Sequence, residues 1–322
     1  IGLPQTINVT ASGGQFGAGF TNPNSGCSNP PCATLNPAPP VILANNQTIT
    51  FNWQTSCDHV PIQFDCYVPS STHTFVLTFQ DDFCPATAYQ IATVSVIVTA
   101  PPILPPPSLR CVDVQASGDV QLSWIPVADP DNLFNSYHIF SSTNPNGPFT
   151  VVDSIFTLGQ TTYTDVGANA NNQSVYYYIR TRSGCGGRAF GAPSDTLQSI
   201  FLTVTDAGSG QIDLDWNPLS SPLPLTTQLP YRVDKELVPA AAAFFINTNQ
   251  SAAQDSMNGC LQDIFYKVQI ADASGCISHS NRAGGPFSND EAPEVPDLDS
   301  ITVNFTNNSI SLGWTASSSV DT

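Results

Sequence analysis

Each tryptophan of this chain closes a short segment in which apolar and polar residues alternate. The four segments span residues 47–53, 119–124, 211–216 and 309–314. In the second segment Val120, Leu122 and Trp124 fall on one face, and the polar residues between them fall on the other. A period of two indicates a strand that buries one face. We therefore expect all the tryptophans to be core residues, namely Trp53, Trp124, Trp216 and Trp314.

The spacing of the last three tryptophans defines a repeat. Trp124, Trp216 and Trp314 lie 92 and 98 residues apart. A repeat of about 95 residues that is made of short strands has the size of an immunoglobulin-like sandwich. Residues 175–181 alternate again, with the odd-numbered side chains predicted to point inward. Because no long segment has helical periodicity, we predict an all-β chain of tandem immunoglobulin-like β-sandwiches.

Glycines between alternating segments predict hairpins. Asn146-Gly147 separates two predicted strands and is a sequence typical of a two-residue hairpin turn. The segment Gly208-Ser209-Gly210 is rich in glycine, but no helix is predicted after it. It therefore predicts a hairpin turn and not a phosphate-binding loop.

Proline-rich segments predict the domain boundaries. Such segments occur at residues 100–107 and 291–296, and consecutive prolines form stiff, extended linkers. The predicted domains are a first sandwich at 1–102, two repeats at 103–198 and 199–291, and the first strands of a further repeat at 292–322. Since two strands cannot enclose a core, the native protein is expected to continue past Thr322. The sequence has no initiator methionine or signal peptide, so a processed or partial product is expected.

The charge balance excludes several functional classes. The chain has 8 Lys and Arg against 25 Asp and Glu, a net charge of −17. Binding to nucleic acid and docking on anionic lipid both require clustered Lys and Arg side chains, so the acidic composition argues against both. No run of about 18 apolar residues exists, so no membrane insertion is predicted for this sequence.

The cysteine content indicates an oxidising compartment. Nine cysteines are present, and they lack the paired spacing of a zinc site. Disulfides are therefore expected, as in secreted proteins. Because the number is odd, at least one cysteine is free or pairs outside this sequence.

Several segments resemble a known group of proteins. Proline followed by a strand ending in tryptophan, with a later Tyr-x-Ile or Tyr-x-Val strand, resembles fibronectin type III domains over residues 103–322. The match to the large gliding-motility-associated surface proteins of the Bacteroidota is carried by Pro-Pro-Ser-Leu-Arg-Cys-Val (106–112), by Ala-Asp-Pro-Asp with Tyr-His-Ile (128–139), by Tyr-Tyr-Ile-Arg-Thr-Arg-Ser-Gly-Cys-Gly (177–186) and by Ala-Asp-Ala-Ser-Gly-Cys (271–276).

The first predicted domain is similar to other repeats of the same surface proteins. Ser-Cys-Asp-His-Val (56–60) and Phe-Val-Leu-Thr-Phe-Gln-Asp-Asp-Phe-Cys-Pro (75–85) resemble their cadherin-like or polycystic-kidney-type (PKD-like) repeats. The resemblance implies type IX secretion to the extracellular space or bacterial cell surface, with a C-terminal sorting domain that this sequence lacks. It implies no catalytic residues.

The fibronectin resemblance implies one disulfide. Cys111 would lie early in the first strand of its repeat and Cys185 in the turn after the sixth, at the same end of the sandwich, which makes Cys111–Cys185 plausible. Cys260 and Cys276 would flank a strand of ten residues, which spans about 33 Å and is too long for a disulfide. The partners of these two cysteines stay open, and Cys260 could bond a cysteine beyond this sequence.

In the first domain the favoured pairs close short loops. They are Cys27 with Cys32 and Cys57 with Cys66, which leaves Cys84 as the odd residue. Spacing alone does not determine connectivity, so these pairs are preferences among several.

Carboxylates and histidines of the first domain are the candidate metal and acid–base groups. Cadherin-like domains bind calcium with clustered carboxylates, and Asp58, Asp81 and Asp82 are the candidates here. Solvated turn carboxylates are the favoured interpretation, and no cofactor is predicted. His59 beside Asp58 and His73 are interpreted as loop residues, because no nucleophile stands in a recognisable motif with them.

Four triplets match the O-glycosylation pattern of such surface proteins, Asp followed by Ser or Thr and then an aliphatic residue, Met or Thr. The hydroxyl residues of these triplets are Ser154, Thr196, Ser256 and Ser300. The alternative is that each is an ordinary polar residue at a strand edge.

Together these features predict a non-enzymatic extracellular modular rod of a cell-surface adhesin or motility-associated protein. Its partners would be other surface proteins or glycans, with self-association through open sheet edges as a further possibility. Two alternatives are an accessory spacer of a large secreted polysaccharide-active enzyme and a subunit of a self-assembling extracellular filament.

Overall fold

The computed structural model describes residues 5–44, 47–60, 62–63, 66–67, 70–257, 261–289, 295 and 297–315, and for 62–63 and 66–67 the backbone only. In these residues the regular structure is β, apart from three single-turn 3₁₀ helices at Ala18–Phe20, Cys57–His59 and Cys185–Gly187. No helix of the described part is long and apolar enough to cross a membrane. The chain is an array of tandem immunoglobulin-like β-sandwiches, as the alternating segments predict.

The described part of the first region contains eight strands. They are β1 (Thr6–Ser12), β2 (Thr34–Asn36), β3 (Val41–Ala44), β4 (Thr50–Asn52), β5 (Ile62–Gln63), β6 (Cys66–Tyr67), β7 (Ser70–Asp81) and β8 (Tyr89–Thr99). A four-stranded antiparallel sheet has the order β3-β1-β7-β8, and two small sheets are formed by β2 with β4 and by β5 with β6. Phe16, Leu35 and Phe75 form the centre of its core, and the Phe16 and Phe75 rings meet edge to face.

The next two regions repeat one strand plan. The first holds β9 (Ser108–Val114), β10 (Val120–Ile125), β11 (Ser136–Ser142), β12 (Thr150–Ile155), β13 (Thr162–Asp165), β14 (Tyr176–Ser183), β15 (Ala189–Pro193) and β16 (Leu197–Gln198). The second holds β17 (Leu202–Gly208), β18 (Gln211–Trp216), β19 (Thr227–Leu237), β20 (Ala243–Thr248), β21 (Ala252–Ser256), β22 (Gln262–Asp272), β23 (Ile277–His279) and β24 (Ala283–Phe287).

In each of these regions a three-stranded sheet accompanies a five-stranded one. The orders are β13-β10-β9 with β12-β11-β14-β15, and β17-β18-β21 with β20-β19-β22-β23. β16 and β24 pair with β14 and β22, respectively. A last hairpin consists of β25 (Asp297–Asn304) and β26 (Ser309–Thr315). Every sheet is built from strands of one predicted domain range, while the exact boundaries stay a prediction.

By contacts, the chain divides into two compact units. The first unit comprises Ile1–Pro106, Val127–Tyr137 and Arg180–Ala192, and the second comprises Pro107–Pro126, His138–Ile179 and Pro193–Thr322. Strands β11, β14 and β15 continue from one unit into the other. In the second unit the predicted core tryptophans Trp124 and Trp216 are buried.

The other two tryptophans differ from each other. Trp53 packs against the core of the first unit and is half-buried, and its indole Nε1 donates a 2.9 Å hydrogen bond to the carbonyl oxygen of Pro31. Trp314 is 64% exposed, so the prediction of a core position is wrong for it. The reason is that the described part of this region is a hairpin of two strands, which has no second sheet to cover the indole.

The hairpin turn predicted at residues 208–210 is present, whereas Asn146-Gly147 lies in a turn inside a seven-residue connection between β11 and β12. Gly208, Ser209 and Gly210 all have positive φ and connect β17 to β18, the geometry that a tight hairpin needs. Along β14 the side chains of Tyr177 and Ile179 are fully buried, as the period of two predicts.

Candidate functional site: disulfide-locked junctions

Three disulfides are present among the described residues. They join Cys27 to Cys32, Cys57 to Cys185 and Cys111 to Cys276. The last two span 128 and 165 residues of sequence. Cys84 is free and exposed. The side chain of Cys66 and the whole of Cys260 lie outside the described residues.

The bond between Cys27 and Cys32 is the one that the sequence favours, but two predicted pairs are wrong. Cys111 does not bond Cys185, and Cys57 does not bond Cys66. For these two pairs the prediction considered partners within one domain, and the structure pairs residues from different predicted domains.

A sequence signal for the observed pairs does exist. Cys185 and Cys276 both follow the dipeptide Ser-Gly, and both stand in the turn after the long strand β14 or β22. They are equivalent positions of consecutive repeats. Each one bonds a cysteine that lies in the preceding predicted domain, Cys57 or Cys111. A cysteine that recurs in the same turn of each repeat therefore indicates a link between neighbours.

The junction within the first unit joins two single-turn helices. Cys57 begins the helix Cys57–His59, and Cys185 begins the helix Cys185–Gly187. Beside the disulfide, Arg188 Nη2 lies 3.0 Å from Asp58 Oδ1, with the two side chains 49% and 54% exposed. An ion pair this exposed contributes little to stability, because water screens it. The covalent bond is therefore the main constraint.

His59 holds the loop beside this disulfide through hydrogen bonds to the backbone. Its Nδ1 accepts a 2.8 Å hydrogen bond from the backbone N–H of Ser56, and its Nε2 donates a 2.8 Å hydrogen bond to the carbonyl of Asn29. His73 Nε2 in turn donates to the carbonyl of His59 over 2.8 Å. The Trp53 ring contacts both imidazoles, edge to face.

These contacts correct the interpretation of the histidines as loop residues. His59 belongs to a 3₁₀ helix and is buried, and His73 belongs to β7. Both ring nitrogens of His59 are engaged by backbone groups, so the imidazole fixes the loop that carries Cys57. Acid–base work would require those hydrogen bonds to break.

The junction within the second unit joins β9 to β23. Asp113 Oδ1 accepts hydrogen bonds from both the backbone N–H of His279, at 2.9 Å, and His279 Nδ1, at 2.6 Å. The backbone N–H of Val112 donates to Ser278 Oγ over 3.0 Å. Val112 and Ser278 are fully buried. The bond between Cys111 and Cys276 lies directly beside these contacts in sequence, so one strand of each repeat is fastened to the other by covalent and polar links.

A tight turn presents Cys276 to this junction. The backbone N–H of Asp272 donates to the carbonyl of Cys276 over 2.9 Å, and Asp272 Oδ1 accepts from the backbone N–H of Ser274 over 2.8 Å. Gly275 has φ +88°, which a larger residue adopts only with strain. Burial would raise the pKa of Asp272, but the nearby Thr226, the hydrogen bond from Ser274 and the charge of Arg110 outweigh it and hold that pKa below its usual value.

Each repeat also carries a tyrosine–aspartate pair. In the first repeat Tyr177 OH donates to Asp165 Oδ2 over 2.8 Å. In the second, Tyr266 OH donates to Asp255 Oδ2 over 2.5 Å, and Lys235 Nζ lies 2.5 Å from the same oxygen. Burial, together with the neighbouring carboxylate, raises the pKa of both Tyr177 and Tyr266. These tyrosines therefore act as neutral hydrogen-bond donors.

The carboxylates considered as calcium candidates contact other groups of the protein. Asp58 pairs with Arg188, and Asp81 Oδ1 accepts from the backbone N–H of Ala88 over 2.7 Å. Asp82 accepts from the side chain and backbone of Thr6, and these hydrogen bonds lower the pKa of Asp82. In the part of the chain that the structure describes, no group of three or more His, Cys, Asp or Glu side chains is arranged to hold a metal ion.

The four O-glycosylation candidates differ in accessibility. Thr196, Ser256 and Ser300 are exposed. Ser154 is half-buried, and its Oγ lies 2.9 Å from His138 Nδ1. In the triplet that contains Ser256, the side chain of Asp255 is only 7% exposed. The use of these sites stays a prediction, best supported by exposure at Thr196 and Ser300.

Among the comparisons with known proteins, only the one with solved structures finds proteins similar to this chain. No family model matches the chain, and no curated protein matches it. The FN1–FN3 domains of chicken CNTN1 are 10% identical, with 88% of each chain covered and a TM-score of 0.24. The central fibronectin-III array of RIM-binding protein is 12% identical, with 66% of this chain and 79% of that chain covered and a TM-score of 0.25. A two-domain fibronectin type III segment of chicken tenascin is 15% identical, with 57% of this chain and 99% of that chain covered and a TM-score of 0.24.

Proposed function

We propose that this chain is a non-enzymatic modular spacer of an extracellular protein on the bacterial cell surface, in which disulfides fix each sandwich to its neighbour. The observation that carries the proposal is the bond between Cys111 in β9 and Cys276, the residue directly before β23. The polar contacts of Asp113 with His279 and of Val112 with Ser278 support it.

The physical reason is that consecutive domains normally move relative to each other. Interfaces between domains of one chain are usually small and polar, so hinge motion is the default. A disulfide across such a junction restricts the hinge. Closing a loop of 165 residues also lowers the conformational entropy of the unfolded chain, which stabilises the fold by about 5 kcal/mol in the chain-entropy model. A spacer that carries load between a cell surface and a binding region gains from both effects.

The composition supports the compartment and the partners. Structural disulfides persist in oxidising environments outside the cytosol. The net charge of −17 favours solubility and disfavours binding to nucleic acid. Other surface proteins or glycans are the partners that we propose for the protein to which the spacer belongs. An adhesin or gliding-motility role follows from the sequence resemblance alone.

The test compares flexibility with and without the junction bond. Small-angle X-ray scattering of the chain should show a broader distribution of distances for Cys111→Ser/Cys276→Ser than for the wild type. The matched control is Cys27→Ser/Cys32→Ser, which removes a disulfide that closes only a five-residue separation and should leave the distribution unchanged. Equal scattering from the junction variant and the wild type would contradict the proposed role of the bond.

A further inference from the structure

One edge of the first unit lacks the features that keep strands from pairing. β8 is the terminal strand of the sheet β3-β1-β7-β8, is 11 residues long and pairs with β7 without a bulge. It contains no charged residue and no proline. Natural proteins protect sheet edges with charges, proline, bulges or shortness. The other terminal strands of the described three- to five-stranded sheets have seven residues or fewer.

The outer face of β8 exposes large apolar side chains. Ile91 and Ile97 are each 66% exposed. Thr93 and Ser95, which lie between them on the same face, are also exposed. On the opposite face Val96 and Val98 pack against the core, which fixes the direction in which the strand faces. The two isoleucines are thus not needed by the sandwich itself.

The sequence of β8 is nearly palindromic about Val94. Reading outward from Val94, the chain has Thr93 and Ser95, then Ala92 and Val96, then the two isoleucines. In an antiparallel pair with its two-fold axis at Val94, position i faces position 188 − i of the other strand. Ile91 would then face Ile97, and Thr93 would face Ser95. A surface that is complementary to itself in this way is what an isologous dimer requires.

We propose that β8 pairs in antiparallel fashion with β8 of a second copy of this chain, with the two-fold axis at Val94. The pair makes one continuous eight-stranded sheet from two four-stranded ones. Open backbone groups at the two edges become hydrogen-bonded. Two Ile91–Ile97 contacts flank the axis, and such aliphatic cross-strand pairs stabilise antiparallel sheets. This surface lies in the first unit and is a function additional to the spacer role.

The charge distribution permits this pairing despite the net charge of −17. The acidic residues nearest to β8 in sequence are Asp81 and Asp82, at the hairpin end beside Tyr89. Antiparallel pairing places the two hairpin ends at opposite ends of the seam, separated by about 33 Å of strand. That distance exceeds the Debye length of about 8 Å at physiological salt. Remaining long-range repulsion predicts that dimerisation strengthens as salt is added.

The test uses variants in which the seam carries charges of equal or opposite sign. All proteins carry Cys84→Ser, so that the free thiol cannot link two chains. In Ile91→Lys/Ile97→Lys, lysine faces lysine in the proposed register. In the matched control Ile91→Lys/Ile97→Glu, lysine faces glutamate. Both positions are exposed, so each variant should fold, as circular dichroism would verify.

Sedimentation equilibrium from about 1 μM to 1 mM covers the range in which weak edge pairing registers. We expect a monomer–dimer equilibrium for the Cys84→Ser protein. The Lys/Lys variant should bind its own copy at least about 10-fold more weakly, and the Lys/Glu variant should recover most of the loss. The proposal is overturned if the Cys84→Ser protein stays monomeric throughout, or if the Lys/Lys variant dimerises as strongly as the Cys84→Ser protein. It is also overturned if the Lys/Glu variant dimerises as weakly as the Lys/Lys variant.

Discussion

The two consecutive repeats at 103–198 and 199–291 hold an equivalent aspartate in two different ways. In both, a buried tyrosine of the long strand β14 or β22 donates to an aspartate, Asp165 or Asp255. In the second sandwich Lys235 completes the group, with the lysine 19% and the aspartate 7% exposed. In the first, burial raises the pKa of Asp165, and hydrogen bonding to Tyr177 offsets only part of this effect.

The difference lies in one position of the repeat. Lys235 stands four residues after Tyr231, and Ser141 stands four residues after the equivalent Tyr137. The same carboxylate is thus charge-paired in one repeat and held chiefly by a tyrosine hydroxyl in the other. A buried ion pair adds little when whole but is costly when half of it is removed. The two sandwiches should therefore respond differently to equivalent substitutions.

The largest contrast is expected for removal of the aspartate charge. Asp255→Asn leaves the largely buried Lys235 without its counter-charge and should destabilise the second sandwich by about 2–3 kcal/mol. Asp165→Asn removes a carboxylate whose ionised form is disfavoured by burial. It should therefore change the stability of the first sandwich by less than about 0.5 kcal/mol or increase it. Hydrogen exchange of β22 and β14 at neutral pH would measure the two effects separately. An equal loss of stability in both sandwiches would contradict the predicted difference between them.

The tyrosine hydroxyls should show the opposite order. Tyr177→Phe deprives Asp165 of its hydrogen-bond donor and is expected to cost about 2 kcal/mol. Tyr266→Phe should cost about 1 kcal/mol, because Asp255 keeps Lys235. Urea unfolding with the same hydrogen-exchange readout checks the order. A larger loss for Tyr266→Phe would show that the lysine does not compensate.

Replacing the whole ion pair should convert the second sandwich towards the first. Lys235→Met/Asp255→Leu removes both charges together, and apolar replacements of a buried pair are usually close to neutral. We expect a change within about 1 kcal/mol, well below that of Asp255→Asn alone. The coupling between the two sites, obtained from the double-mutant cycle, is the quantity to measure. Additive losses from the single variants would mean that the contact contributes nothing.

The smallest expected effects concern pH, and their signs differ between the sandwiches. The pKa of Asp165 is raised in the fold, so its contribution to stability is present below the unfolded pKa and is lost as pH rises through the folded value. The pKa of Asp272 is lowered, so its contribution is present above the unfolded pKa and is lost as pH falls through the folded value.

Asparagine variants isolate these two contributions. Relative to the wild type, Asp165→Asn should be equal or more stable at pH 7, whereas Asp272→Asn should be less stable. Both differences should shrink towards pH 3, because a protonated aspartate resembles asparagine. Thermal unfolding at a series of pH values measures them. Differences of the same sign at pH 7 would contradict the assignment of the two environments.

Much of the fold follows from alternation along the chain. Val120, Leu122 and Trp124 are buried as their spacing predicts, and the glycine at 208 marks a real hairpin. These features are local, since a strand face or a turn is determined by a few consecutive residues. Trp314 shows the limit, because the burial of a strand face depends on a second sheet.

The junctions were harder to predict because they depend on which domains touch. Cys111 has two candidate partners at equivalent positions in the turns of successive repeats, Cys185 and Cys276, and geometry within one sandwich favours the wrong one. Likewise Asp113 and His279 are 166 residues apart, and no local pattern connects them. The recurring Ser-Gly-Cys turn was visible in the sequence, but only the structure shows that it contacts the neighbouring repeat.

The central claim is that disulfides fasten one sandwich to the next, and disulfide mapping tests it most directly. The native chain would be digested without reduction, and the linked peptides identified by mass spectrometry. We predict one peptide pair that links Cys111 to Cys276 and another that links Cys57 to Cys185. A peptide pair that links Cys111 to Cys185 would contradict the account, because that bond would close within one sandwich and leave the junction free to hinge.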